Sequence, residues 1–221
     1  MKKYSSKAFA LLFISLPLLG LSQNTQVMDI PKMLKNNGFN VFNRETTAIN
    51  EQGHMGVRLS KNLGEGVAWV NGVDFSNGTI EFDVRGEDTK QRSFVGFAFH
   101  GVDNTTFDAI YLRPFQFREQ NPILKSHSLQ YISLPNFTWQ VLREKFPNKF
   151  ESGIDPSPDP NSWVHVKIVI QDDLVSTYIN GNATPSMVIT KVTAVRSGKI
   201  GFYVADVSGG DFANLSITKA N

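Results

Sequence analysis

The sequence predicts an all-β fold, a jelly-roll β-sandwich of two antiparallel sheets crossed by one long ordered loop. Three observations predict it. Apolar segments of strand length recur from residue 78 to the end. Turn signals built on Gly and Asn separate them. No long amphipathic helical pattern interrupts the series.

Gly78 to Arg85 alternates cleanly, with Ile80, Phe82 and Val84 on one side and Thr79, Glu81, Asp83 and Arg85 on the other. Period two marks a half-buried strand. Phe94 to Phe99 is apolar on both faces and is expected to be central. The segments 107–115, 127–133, 163–170, 174–180, 199–205 and 212–218 continue the series. Asn71-Gly72, Asn77-Gly78, Asn180-Gly181, Ser197-Gly198 and Gly209-Gly210 mark turns. Polar residues 23–36 are expected to tie the N-terminal end to the body. Residues 114–162 break the rhythm with Pro114, Pro122, Pro135, Pro147 and the run Pro156 to Pro160. Phe137, Trp139, Phe146 and Phe150 in that stretch argue against disorder. It reads as an ordered excursion over one face of the sandwich, with a short helical turn at Trp139 to Lys145.

Lys2 and Lys3, the apolar run Ala8 to Leu19, and the small and polar Gly20, Ser22 and Gln23 read as a cleavable export signal over residues 1–22. The run is shorter than the roughly 20 apolar residues a membrane span needs. Cleavage near Ser22 leaves residues 23–221 as one domain, expected to be periplasmic or secreted, without a membrane partner. The chain has 22 basic and 20 acidic residues. Lys2, Lys3 and Lys7 leave with the signal, so the remainder is near −1 and carries no nucleic-acid footprint. There is no cysteine, so packing alone must hold the core. No His/carboxylate spacing suits a transition metal, no Gly-rich loop suits a phosphate, and no G-x-S-x-G elbow is present. No cofactor is expected; a structural calcium ion on loop carboxylates such as Asp103 or Asp211 is compatible with the sequence.

The C-terminal third carries a recognisable pattern: Trp163-Val-His-Val-Lys-Ile168, Val175-Ser-Thr-Tyr-Ile-Asn-Gly181, Gly198-Lys-Ile-Gly-Phe202 and Gly210-Asp-Phe-Ala-Asn-Leu215. It resembles the concanavalin A-like lectin/glucanase superfamily, in particular its laminin G-like branch. The resemblance covers residues 163–217 well and 66–100 loosely. It implies the jelly roll and a carbohydrate partner without naming a substrate, because one fold hosts many activities. Glu81-Phe-Asp83-Val-Arg85 is similar to the E-x-D-x-x-E strand of jelly-roll glucanases, but Glu87 is shifted by one and would fall on the other face. That strand face therefore reads as a solvated polar surface. His165, between Val164 and Val166 and on the face of Trp163 and Lys167, reads as a structural residue.

The chemistry-bearing residues concentrate between 100 and 143. Tyr111-Leu-Arg113-Pro-Phe-Gln116 is followed by His127-Ser-Leu-Gln130-Tyr131, then Trp139 and Arg143. Alternation puts Tyr111 and Arg113 on one strand face and His127 and Tyr131 on another. If the two strands line one sheet, these four form a catalytic set. His100, Gln116, Gln130, Trp139 and Arg143 would then bind substrate. Arginine grips a carboxylate bidentately, histidine exchanges a proton near neutrality, and tyrosine can donate one. The set suits β-elimination on an anionic, uronate-containing oligosaccharide, and is similar in general terms to jelly-roll polysaccharide lyases and to the oligosaccharide dehydratases of marine polysaccharide degradation. A non-catalytic binding module and a hydrolase of 3-keto-disaccharides are the alternatives.

Overall fold

The structure is a computed structural model that describes residues 24–220. The export signal read over residues 1–22 lies outside the described residues. Two antiparallel sheets face one another. The first runs β13 (Met187–Thr190), β12 (Leu174–Ile179), β11 (Val164–Gln171), β6 (Gly78–Arg85), β15 (Gly210–Lys219), β4 (His54–Leu59) and β3 (Thr46–Glu51), with β1 (Thr25–Val27) on the far half of β15. The second runs β10 (Glu151–Ser152), β9 (Leu129–Leu134), β8 (Phe107–Leu112), β7 (Val95–Gly101), β14 (Lys199–Val204), β5 (Gly66–Val70) and β2 (Phe39–Phe42). Among the described residues three short helices connect strands: α1 (Ile30–Lys35) between the two sheets, and α2 (Pro122–Lys125) and α3 (Trp139–Lys145) within the second. Among the described residues no helix is long and apolar enough to cross a membrane.

The two sheets differ in a way that places the site. In the first, β6 and β11 alternate buried and half-buried residues, so one face packs inward and one meets water. The inward side chains meet those of the second sheet: Phe82 lies 5.0 Å from Phe97, and Phe212 stacks on Phe202 at 4.7 Å. Every residue of β7 and β8 is buried. A sheet buried on both faces needs a cover on its outer side. The 102–106 turn provides part, where Asn104 accepts the Trp69 indole N–H at 2.9 Å. The excursion over residues 114–162 provides the rest, folded as a 3-10 turn, α2, β9, α3 and β10. Beneath this cover lies a second aromatic layer, in which Trp69, Tyr111 and Tyr203 join through Phe107 or directly, with centroids 5.6–5.9 Å apart.

The polar leading segment is anchored as expected. β1 pairs with β15, and Ile30 of α1 is buried. The strand face of Glu81, Asp83 and Arg85 is the outward one, opposite His165 and Lys167 of β11.

One register differs from the sequence reading. Tyr111 pairs with Gln130, and Ile110 with Tyr131. Tyr131 therefore shares the inner face with Ile110, while Tyr111 is on the outer face. A strand offset of one residue moves every side chain to the opposite face.

Candidate functional site

The outer face of the second sheet opens into a groove of about 750 Å³. Its floor is a pair of tyrosines. Gly96 of β7 is paired with Tyr111 of β8 on one side and Tyr203 of β14 on the other. Because Gly96 has no side chain, the two rings meet across it at 5.9 Å. A Cβ at Gly96 would stand 2.0 Å from the Ile110 carbonyl oxygen, so only glycine fits without moving a strand.

The excursion builds the wall. α2 starts at Asn121, whose side chain accepts the Ile123 N–H, and ends in the turn that carries His127. α3 starts at Thr138, whose hydroxyl caps the Val141 N–H. Positions 139 and 143 are one helical turn apart. Trp139 and Arg143 therefore face the groove together, with the guanidinium 4.8 Å from the indole centroid. Trp139 remains 37% exposed. β10 is only two residues long, but it pairs Glu151 against Gln130. The Glu151 carboxylate is thereby held under Arg143, which donates from Nε at 3.1 Å to both oxygens and from Nη2 at 2.6 Å.

His127 Nδ1 lies 2.9 Å from Glu151 Oε2, off the axis of a hydrogen bond, so the contact is electrostatic. Burial pushes the His127 imidazole below its usual range; Glu151 opposes this, and Arg143 and Arg113 reinforce it.

Arg113 is the centre of the wall. It is 4% exposed. Its Nη1 donates to the His127 carbonyl at 2.8 Å, and its Nη2 to the Tyr111 hydroxyl at 2.8 Å and to Gln130 Oε1 at 3.2 Å. All three acceptors are neutral. Of the five N–H groups a guanidinium carries, two remain. Tyr111 accepts from Arg113 and donates to no described residue, and burial pushes its hydroxyl up to about 12 against the pull of Arg113. Gln116, also in the wall, has a buried Oε1 without a protein partner.

The far end of the groove is acidic. Glu65 and Asp206 line it. The Tyr203 hydroxyl donates to Glu65, and burial pushes the Glu65 carboxyl up, with Tyr203 and Arg44 opposing.

Of the residues singled out from sequence, Tyr111, Arg113, Gln116, His127, Trp139 and Arg143 line one groove. Gln130 supports it from behind: its Oε1 accepts from Arg113, and its Nε2 donates to the Tyr131 and Phe150 carbonyls. Tyr131 and His100 do not belong to it. Tyr131 is on the inner face, with its hydroxyl donating to Asp108 at 3.0 Å. His100 has a left-handed φ of 52°, where the β7–β14 register shifts, and this turns the ring away from the groove. Its Nε2 meets the Ser76 carbonyl at 2.8 Å, and its Nδ1 meets Lys191 Nζ at 2.8 Å. Lys191 also donates to the Val195 carbonyl and lies 3.6 Å from Asp108. Tyr131 and His100 thus belong to a buried polar network.

Sequence reasoning missed Glu151, Glu65 and Tyr203. Tyr203 could have been found by alternation next to the core residue Phe202. The other two carry no periodic signal, since Glu65 precedes a strand and Glu151 sits in one of two residues.

On the opposite face of the molecule, Asp83 is approached by His165 at 2.7 Å, His54 at 3.1 Å and Asn214 at 2.6 Å. His165 is a partnered structural histidine there. Of the two loop carboxylates compatible with calcium, Asp103 caps its own turn through Thr105 and Thr106, and Asp211 is clamped by Arg58 and Arg85.

No family model matches the chain, and no curated protein matches it by sequence. Solved structures do. A carbohydrate-binding module, CBM66, from Bacillus subtilis superposes with a TM-score of 0.59 at 15% identity, covering 82% of this chain and 96% of that one. A Bacillus subtilis protein with a galectin-like fold gives 0.54 at 14% identity, covering 83% and 90%. The exoplasmic/lumenal domain of VIP36 gives 0.56 at 11% identity, covering 83% and 84%. At these identities the likeness concerns the fold alone, a jelly-roll sandwich of two antiparallel sheets.

Proposed function

We propose that this is an exported carbohydrate-active protein whose groove binds an acidic oligosaccharide and cleaves or dehydrates it by β-elimination at a uronate. One observation carries the reading. Arg113 is a buried guanidinium that hydrogen-bonds only neutral protein groups and keeps two N–H donors, in the wall of an open groove; the nearby Glu151 carboxylate acts on it electrostatically but is bonded to Arg143. A buried charge with no directly bonded counter-charge is costly, and a ligand carboxylate would supply one. Trp139 offers a half-exposed apolar ring beside it for a sugar face. The sandwich is similar to a protein named as a carbohydrate-binding module.

In the elimination, Arg113 neutralises the carboxylate and acidifies the C5 hydrogen. His127 takes that proton. The C5–H electron pair forms the C4=C5 double bond, the C4–O bond breaks, and the leaving oxygen takes a proton from Tyr111. Tyr131 has no part in this.

The test is calorimetry and ultraviolet absorbance with uronate oligosaccharides. Binding is expected to weaken by about 10–150-fold in Arg113→Met, the loss of a charge-assisted contact of roughly 1.5–3 kcal/mol. His127→Asn and Tyr111→Phe should keep binding and lose the absorbance of the conjugated product. Binding with no absorbance in the wild type would leave a non-catalytic binding module. Equal binding of neutral and acidic sugars would overturn the role of Arg113.

A further inference from the structure

The two ends of the groove carry opposite charge, and among the described residues neither is closed by a direct side-chain ion pair, although Arg44 acts on Glu65 and Asp206, and Glu151 on Arg113, through space. At one end Arg113 donates only to neutral oxygens. At the other stand the carboxylates of Glu65 and Asp206. The cation nearest them is Arg44, but its N–H groups go to the backbone carbonyls of Asn43, Gly64, Asp206 and Ser208. Glu65 accepts one hydrogen bond, from Tyr203. Between the ends lie the Tyr111 and Tyr203 rings, 5.9 Å apart.

Resting on the reading of the groove as an acidic-sugar site, we propose that it takes a mixed oligosaccharide, with a uronate against Arg113 and a neutral, hydroxyl-rich sugar against Glu65 and Asp206. Carboxylates are acceptor-only groups. Vicinal sugar hydroxyls are donors and satisfy them. A second uronate at that end would meet two like charges, and like-charge juxtaposition in a binding site is strongly unfavourable. The groove therefore selects against runs of uronic acid. Its orientation follows as well: the anionic unit lies toward Trp139 and His127, where the proton transfers take place.

The experiment is calorimetric titration of the protein with three panels of equal chain length: alternating uronate–neutral oligosaccharides, homo-oligouronates and neutral oligosaccharides. The best alternating ligand is expected to bind at least about tenfold more tightly than the best homo-oligouronate. Glu65→Gln, which keeps an acceptor for Tyr203, should narrow that gap by raising homo-oligouronate affinity. Asp206→Asn, at the exposed rim, should do the same in part and guards against a folding defect in the first variant. Homo-oligouronates binding as well as alternating ligands, or a gap untouched by both variants, would overturn this inference and leave the acidic-sugar reading standing. Acidic panels that bind no better than the neutral one would overturn both.

Discussion

Tyr131→Phe separates two readings of the same residue. In the groove it would supply a proton; in the observed register it anchors a buried carboxylate. Its hydroxyl donates to Asp108 Oδ1 at 3.0 Å. Asp108 has three further contacts, Thr193 at 3.3 Å to both oxygens, Lys191 at 3.6 Å and His100 Nδ1 at 3.9 Å. The substitution removes one hydrogen bond to a charged acceptor and opens no large cavity. Such a bond is worth roughly 1.5–3 kcal/mol, and the surviving Thr193 and Lys191 contacts place the cost near the lower end. For a domain of this size that lowers the melting temperature by about 3–12 °C. Lys191→Met is more severe, because it removes the ammonium group 3.6 Å from a buried carboxylate, and should cost about 3–5 kcal/mol. The two variants act on one acceptor, so their costs should not add in the double variant. The assay is urea denaturation of the wild type, both single variants and the double, with ligand affinity measured on the folded proteins. The reasoning fails if Tyr131→Phe unfolds like the wild type yet loses ligand binding or turnover, since that would put its hydroxyl in the groove.

Two further outcomes test the rest of the frame. Gly96→Ala would force a Cβ to 2.5 Å from the Tyr111 Cα; β8 must shift, so stability should fall by about 1–3 kcal/mol, with a parallel loss of ligand affinity that Ala substitution at the distant, open Gly72 does not cause. On the far face, Asp83 holds the His165 imidazole above its usual range, chiefly through a hydrogen bond, with Glu81 helping and burial opposing. A raised folded-state value means that the His165 contribution is complete below the unfolded imidazole pKa and fades as pH rises through the raised one. The stability difference between the wild type and His165→Gln should accordingly shrink as pH rises from the ordinary imidazole value of about 6.5 through the raised one, and a difference that grows with pH over that interval would contradict the assignment.

What could be read from the sequence follows the range of the physics that encodes it. Alternation is local, and it placed β6 over Gly78–Arg85 and the helix at Trp139–Lys145 as found. The excursion over 114–162 was legible as ordered because its aromatic residues have nowhere to go but onto a surface that buries them. Arg113, His127, Trp139 and Arg143 converge because they flank strand and helix ends that local signals locate. Register is another matter. Whether Gln130 or Tyr131 faces Tyr111 depends on where β9 starts, and the strand starts at Leu129 because His127 is consumed by the turn closing α2. The same turn explains why His127 keeps its place in the groove although Tyr131 does not: it lies ahead of the pleat and is not bound by its parity.

Glu151 and Glu65 were invisible for a related reason. Each is placed by a partner distant in sequence, and neither sits in a segment long enough to show a period. Glu151 is held beneath Arg143 because a two-residue strand pairs with β9, and Glu65 is bonded by Tyr203, which comes across from β14. The charge pattern along the groove is therefore a property of sheet pairing. A substitution that preserves every groove residue but slips β9 by one position would put Tyr131 outward, turn the already buried Gln130 to the inner face, and withdraw an acceptor that holds Arg113. Such a variant would keep the jelly roll and lose the arrangement on which the proposed acidic-sugar site rests, which is why fold likeness at 15% identity or below cannot substitute for the groove itself as the basis of a functional reading.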